Sequence, residues 1–524
     1  MEEMARTNFI KFAKNSWLII LVLLIASFLR LFRIGDYMTF LGDEGRDSLV
    51  VYNILHGHLT LLGPTASVGG FFLGPIYYYF MAPFLWIFGY NPVGPAVMVA
   101  LVGILTVFLI YKVGEEFFGR RVGLLAALIY SIAPLIISYS RSSWNPNLMP
   151  FFSLLTLYSI YKGIEKEDLK FFLLGGFLLG ISMQLHYLSV FLGAVLVAYL
   201  LIVRIIEKVR YKKEGQVLKF FKNSVLIFGG FLVGWSPFLA FELRHGFANI
   251  KSIFSFILHS GATGAAGSFL DILRDVFFRL FGRLVTNFPP PEQLAYKDHT
   301  QLFFWTIFTF ALGILSFGFL LYKTLTEKDE IFFKRNLLIL IWISIGIFLF
   351  GFYKKSIYDY YFGFMFPAPF LLVSFFLDRL YKTSFKLIAV FIFLLILVLN
   401  LMGVPFQYLP NRQLMQVKNI SYFVLDKTGG KPFNFALITG GNSDYAYRYF
   451  FVLRGQEPIA IQNPQIDPAR KSVTEELLIV CESLPCRPLG NSLWEIAGFG
   501  RAQIDGQWNV SVVQIYKLSH YRGK

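Results

Sequence analysis

Trp17-Leu18-Ile19-Ile20-Leu21-Val22-Leu23-Leu24-Ile25-Ala26-Ser27-Phe28 is an unbroken apolar run near the start of the chain. Similar runs return along the sequence, Leu387 to Met402 among them. A helix needs about 20 mostly apolar residues to cross a bilayer. No soluble core buries so much continuous apolar sequence. Composition agrees: charged residues make up 15% of the 524, and phenylalanine alone supplies 60, against roughly 25% charged in soluble domains. The chain reads as mainly α-helical and polytopic. The first run follows Lys11 and Lys14 and has no small-residue cleavage site after it. It therefore reads as a retained span and not as a signal peptide.

The net charge is +16. Lysine and arginine cluster in short loops between apolar runs, as cytoplasmic loops require. That distribution argues against a nucleic-acid partner. It also fixes an orientation. With the N-terminus inside, span one leads into an outer loop, residues 35–70. The basic loop 112–121, with Arg120-Arg121, belongs inside. One crossing must separate the two, yet two apolar stretches lie between them, 71–89 and 92–111. The first carries Pro75, Pro83 and Tyr77-Tyr78-Tyr79, an interfacial signature. Segment 71–90 is expected to lie on the outer leaflet or dip into it. Loops 162–170, 204–222, 323–335 and 379–386 then fall inside. Loops 141–147, the surroundings of His186, 242–300 and 354–361 fall outside. The expectation is about eleven spans with the C-terminus outside.

After Met402, prolines, asparagines and charges return. Phe435–Ile438 and Leu477–Cys481 read as buried strands and Asp444–Leu453 as a helix. Residues 1–404 thus form a transmembrane domain, and 405–524 a small α/β domain on the outer face. Its cysteines, Cys481 and Cys486, fit a disulfide or two free thiols equally well.

The first outer loop holds Phe40-Leu41-Gly42-Asp43-Glu44-Gly45-Arg46-Asp47. A carboxylate against an apolar wall can act as a general base, because desolvation raises its pKa toward neutrality. Arg46 could orient an acid or bind an anion. Ordinary charges on a solvated loop are the competing reading. His56-Gly57-His58 could ligate a divalent metal but fits a polar turn better. In the next outer loop, Ser140 to Asn147, Arg141 offers a phosphate fork and Trp144 a sugar-stacking face. An interfacial anchor with capping asparagines, Asn145 among them, is equally consistent. Gln184, His186 and Tyr187 are polar groups at the end of an apolar span, where a cavity or partner is expected. Glu242, Arg244 and His245 form a similar cluster. Lys354-Lys355 breaks the positive-inside pattern; with Arg141 it would make a basic pocket for a lipid phosphate, beside Tyr358, Asp359 and Tyr360. No Walker loop, no Rossmann glycine fingerprint and no Asp-x-Asp in an outer loop is present, so nothing points to direct use of a nucleotide sugar.

Asp43-Glu44, then Gly74-Pro75-x-Tyr-Tyr-Tyr79, then Phe117-Phe118-Gly119-Arg120-Arg121, then Tyr139-Ser140-Arg141 resembles the membrane glycosyltransferases of the C superfamily (GT-C). More narrowly, the pattern is similar to the branch with the protein O-mannosyltransferases and the lipid A aminoarabinose transferases. The resemblance covers Trp17 to Met402. It implies a GT-C fold in the plasma membrane, with the active site and C-terminal domain outside the cytoplasm. It implies a polyprenyl-phosphate sugar donor and an acceptor that is a protein, a lipid or a glycan. It implies Asp43 as the catalytic base with Glu44 beside it, and an inverting displacement. Donor phosphate and sugar are expected at Arg46, Arg141, His186, Tyr187, Arg244, Lys354, Lys355 and Tyr358. Acceptor or sugar contacts are expected at Tyr78, Trp144, Asn145 and Glu242. Many relatives carry an acid after the arginine of the second outer loop. Asn145 and Asn147 stand there instead, which argues against a second carboxylate and a metal bound through it and leaves His56 and His58 as the candidates for a divalent metal. The alternative is a lipid-linked oligosaccharide flippase or polymerase. A flippase needs a cationic path, and the spans carry few charges.

Overall fold

The computed structural model of the chain describes residues 2–66, 69–259, 267–353 and 355–523. It divides into two compact units. The first comprises residues 1–32, 60–80 and 97–409; the second comprises 33–59, 81–96 and 410–524.

The first unit is helical. Among the described residues, five helices are long and apolar enough to cross a membrane: Val93–Phe118, Ser189–Val209, Gln216–Gly234, His299–Thr326 and Glu330–Phe350. A sixth results if the bent pair Asp359–Met365 and Pro367–Tyr381 is one span. Trp17–Leu31, Ile76–Ile87, Leu169–Leu185 and Lys386–Leu401 are apolar but shorter. This is fewer than the eleven expected from apolar runs. The reason lies in the breaks. Arg120–Ile132 stops before Pro134, which opens the next helix, and Pro367 starts another. Proline at a first turn lacks only an amide that would be unpaired anyway, so it starts helices and ends the preceding ones. Ile76–Ile87 has 12 residues, about 18 Å at 1.5 Å per residue, against a hydrocarbon core of ~30 Å.

Helix packing reuses a sequence pattern. Gly176 and Gly180 face Gly230 and Gly234 across two adjacent helices. A Cβ at Gly176 would sit 2.0 Å from Ile227 O, and one at Gly234 would sit 2.1 Å from Phe177 O. Only glycine permits this backbone approach, the small-xxx-small geometry of membrane helix pairs.

The loops assigned inside on charge parity meet one another. Lys162 pairs with Glu116 and with Glu165 at 2.6 Å, and Arg335 with Glu165 at 3.1 Å. Lys334 and Arg204 share Glu207, each at 2.5 Å, and Lys213 reaches Glu330 at 2.6 Å. Arg121 lies 3.6 Å from Asp378, which also pairs with Lys382.

The second unit is built on a four-stranded sheet: β1 (Asn434–Ile438), β2 (Glu476–Cys481), β3 (Ala502–Val510) and β4 (Val513–His520), in the order β1-β2-β4-β3. β1 and β2 are parallel; β4 is antiparallel to β2 and β3. The central β2, Glu-Leu-Leu-Ile-Val-Cys, is buried along its whole length, as a strand covered on both faces must be. On one face Phe435 packs edge-on against Phe451 of the helix Tyr445–Leu453. On the other, Ile461, Ile479, Phe499 and Tyr516 close the core. Cys481 and Cys486 form a disulfide. The unit starts at Pro410, slightly later than the boundary read from composition, and it takes in residues 33–59 and 81–96. The acidic segment, residues 40–47, therefore folds with the C-terminal domain.

Candidate active site

In the second unit the acidic segment opens the helix Gly42–Leu55, with Asp43 and Glu44 in its first turn. Negative charge suits this end of a helix, where amides lack intrahelical acceptors. The two acids differ sharply. Asp43 is exposed, its carboxylate 2.9 Å from Arg46 Nη1. Arg46 also holds Asp47, with Nε and Nη2 at 3.0 and 2.8 Å from Oδ1. Asp47 is fully buried. The arginine thus ties the open carboxylate to a fixed one. Glu44 is only 6% exposed. Its Oε2 accepts the Leu41 N–H at 3.0 Å, and burial pushes its pKa up to about 7 against that hydrogen bond. The desolvated acid expected from the sequence is therefore Glu44. The acid open to solvent is Asp43.

His56 and His58 are exposed. His56 Nδ1 lies 2.7 Å from Tyr52 O, and its ring packs tilted against Tyr52 and stacks on Tyr90. Among the described residues no three His, Cys, Asp or Glu side chains gather as a metal set.

In the first unit a second cluster gathers residues from the loops assigned outside. Arg279 Nη2 and Nε reach Asp359 Oδ1 at 2.6 and 2.9 Å, and Arg283 Nε reaches Oδ2 at 2.9 Å. Two guanidiniums share the Asp359 carboxylate, and Arg279 Nη1 also meets Asp275 Oδ2 at 3.2 Å, so two arginines and two acids gather here. Rings surround it. Trp144 lies 4.4 Å from Tyr360, and His186 packs on Tyr187, Tyr360 and Tyr361. Tyr187 and Tyr353 share a hydrogen bond of 2.7 Å between hydroxyls. Exposed Tyr358 stacks on Tyr360. A small opening of about 10 Å³, room for about one water, is lined by Tyr130, Tyr139, Ser140, Asn147, Tyr360 and other residues.

Several residues named from the sequence prove structural. Arg141 is 1% exposed and donates to Leu29 O and Phe32 O at 2.9 and 2.8 Å. It caps the end of the first helix, where carbonyls lack partners, and is not displayed to a phosphate. Asn145 is buried and donates to Leu185 O at 2.6 Å, again a helix end. Glu242 is fully buried and accepts N–H groups of Asn249 and Ile250. It joins two short helices and does not meet an acceptor. His186 Nδ1 accepts the Leu188 N–H at 3.3 Å, so the ring is neutral and serves as a wall, not a cation. Tyr78 is buried. Gln184 bridges Ile76 N–H and Gly234 O, which fixes the start of the tyrosine-rich helix. Arg244 is exposed and Lys355 is half-buried. Lys354 lies outside the described residues.

Arg279 and Arg283 were not singled out by sequence reading. Their signal is present in retrospect: they lie one turn apart along the amphipathic helix Phe269–Gly282 and its end, inside the segment read as the large loop 242–300.

Residues 73–228 match the family model of dolichyl-phosphate-mannose-protein mannosyltransferases. YycA of Bacillus subtilis (strain 168), described as a candidate mannosyltransferase, is 25% identical over 163 residues, which is 31% of this chain and 23% of that protein. ArnT from Cupriavidus metallidurans, solved with undecaprenyl phosphate, has a TM-score of 0.62 at 12% identity and covers 96% of this chain and 98% of its own. The oligosaccharyltransferase of Archaeoglobus fulgidus has a TM-score of 0.52 at 15% identity, over 86% of this chain and 65% of its own. The archaeal oligosaccharyltransferase AglB from Archaeoglobus fulgidus, solved with an inhibitory peptide and a dolichol-phosphate, has a TM-score of 0.53 at 14% identity, over 89% of this chain and 70% of its own. The resemblance to GT-C glycosyltransferases read from short motifs is thus found again, in a family model over part of the chain and in the fold of nearly all of it.

Proposed function

We propose that this protein is a membrane glycosyltransferase that moves a sugar from a polyprenyl-phosphate donor to an acceptor on the outer face of the membrane. The observation that carries the reading is the carboxylate of Asp43, open to solvent yet fixed through Arg46 to buried Asp47. A general base needs both reach and orientation. In this mechanism Asp43 takes the acceptor proton while the acceptor oxygen attacks the anomeric carbon. The bond from that carbon to the phosphate oxygen breaks, configuration inverts, and polyprenyl phosphate departs.

Within the first unit, Arg279 and Arg283 replace Arg141 as the candidate cations for a lipid phosphate, since both guanidiniums are held by Asp359 and remain partly exposed. Preorganised charge of this kind lowers a barrier because it need not reorganise during the reaction. Trp144, Tyr358 and Tyr360 offer faces for a sugar or isoprenoid. The undecaprenyl phosphate in ArnT and the dolichol-phosphate in AglB support a lipid-phosphate donor here. The disulfide Cys481–Cys486 supports an oxidising compartment for the C-terminal domain. The meeting of the basic loops assigned inside supports their lying together on one side of the membrane.

The test is incubation of the purified protein with a panel of polyprenyl-phosphate sugars, mannose first, and a membrane extract as acceptor, with products read by mass. A glycosylated product that Asp43→Asn abolishes is the expected result. Equal product from the variant would remove Asp43 from the chemistry.

A further inference from the structure

We infer that the C-terminal domain orients the acidic segment through a relay from Glu482 to Asn442 to the Gly42 amide, making Asn442 and Glu482 positioning residues for Asp43. The role of Asp43 rests on the proposed function; the relay itself rests on geometry within the second unit.

Gly42 is the first residue of its helix, so its N–H has no intrahelical acceptor. Asn442 supplies one from 400 positions away: its Oδ1 accepts the Gly42 N–H at 2.9 Å and the Ser443 N–H at 2.9 Å. Two backbone donors on the oxygen fix which way the amide points. Its Nδ2 then donates to Glu482, 3.1 and 3.2 Å from the two carboxylate oxygens. Glu482 is itself held. Thr439 and Tyr447 donate to it at 2.8 and 2.7 Å, and its own N–H donates to Ile438 O at 2.9 Å. The disulfide Cys481–Cys486 closes the short loop that begins with it. A carboxylate gathering three side-chain donors makes stronger hydrogen bonds than a neutral acceptor.

Packing makes the contact intimate. A Cβ on Gly42 would lie 1.9 Å from Ser443 Oγ, and one on Gly45 2.4 Å from Ala446 N. Glycines on either side of Asp43-Glu44 let the turn rest directly on the loop after β1 and on the start of the helix Tyr445–Leu453. Phe40 N–H adds a bond to Gln413 Oε1 at 3.0 Å. The first turn thus has little freedom of its own. Displacement of a reacting group by about 1 Å can cost on the order of a hundredfold in rate.

The experiment is hydrogen exchange on the full chain in nanodiscs, compared for wild type, Asn442→Ala, Glu482→Ala and Glu482→Gln, with transfer from polyprenyl-phosphate mannose measured on the same samples. Asn442→Ala and Glu482→Ala are expected to speed exchange in the 40–47 segment at least about tenfold and leave β2 and β4 protected. They should lower kcat roughly ten- to a hundredfold and shift donor KM by less than about twofold. Glu482→Gln, which keeps one acceptor oxygen for Asn442, should recover most of both. Unchanged exchange at 40–47 in Asn442→Ala overturns the relay. Loss of β2 and β4 protection along with it also overturns the relay, because these residues would then serve the domain's fold alone. Full transfer by Asp43→Asn would defeat the proposed function, and the exchange result would still decide the relay.

Discussion

Replacing Glu44 by glutamine should remove a pH dependence built into the acidic helix. Burial raises the Glu44 carboxyl from 4.5 to about 7, despite its hydrogen bond from Leu41 N–H. A carboxyl whose folded pKa exceeds its unfolded value binds protons better when folded. Between about pH 4.5 and 7 the folded state carries the extra proton, and stability falls as pH rises. Above about 7 the loss is complete. The gap amounts to on the order of 3 kcal/mol, roughly a hundredfold in the opening equilibrium of the helix. The chain has two units, so a single global unfolding energy is not well defined. Local hydrogen exchange of Gly42–Leu55 is the suitable assay. After correction for intrinsic rates, wild-type protection should fall by about that factor between pH 5 and pH 8, while Glu44→Gln stays flat and exceeds wild type at pH 8. Wild-type protection that is flat, or that rises with pH, would refute the assignment of Glu44 as the desolvated acid.

Two further outcomes concern the first unit. Asp359→Asn leaves Arg279 and Arg283 partly buried with their shared charge removed. Breaking such a group typically costs about 3 kcal/mol before solvent access reduces it, so the thermal midpoint should drop and donor KM should rise; an unchanged KM would take the triad out of donor binding. Glu242→Ala strands the N–H groups of Asn249 and Ile250 at a cost of about 1–3 kcal/mol each if they stay dry. Limited proteolysis should then cut faster near residues 245–250, with transfer by the surviving protein unaltered; equal cutting rates would show that water replaces the carboxylate.

Much of the fold was legible because it is written in continuous patterns. Apolar runs announce helices, and basic loops sort themselves by side; Lys162, Arg204, Lys334 and Arg335, read as one side, do meet in shared ion pairs. Phe435–Ile438 and Leu477–Cys481 show as strands because strands buried on both faces are apolar throughout. Span count was less legible, since prolines such as Pro134 split runs without lowering their hydropathy. The candidate site was legible in its acids and obscure in its cations. Arg141 and Arg279 are equally good phosphate forks in sequence. Only the fold reveals that Arg141 closes the end of a helix and that Arg279 meets Asp359 from 80 positions away. The union of the acidic helix with the C-terminal domain was invisible for the same reason: the Gly42–Asn442 bond spans most of the chain.

The central claim is that Asp43 removes the acceptor's proton. Single-turnover transfer by Asp43→Asn, measured beside the binding of undecaprenyl phosphate to the same sample, tests it most directly. Loss of a general base typically costs about a hundred- to ten-thousandfold in rate, and donor-lipid affinity should stay within about threefold of wild type. Transfer at the wild-type rate with affinity unchanged would contradict the account.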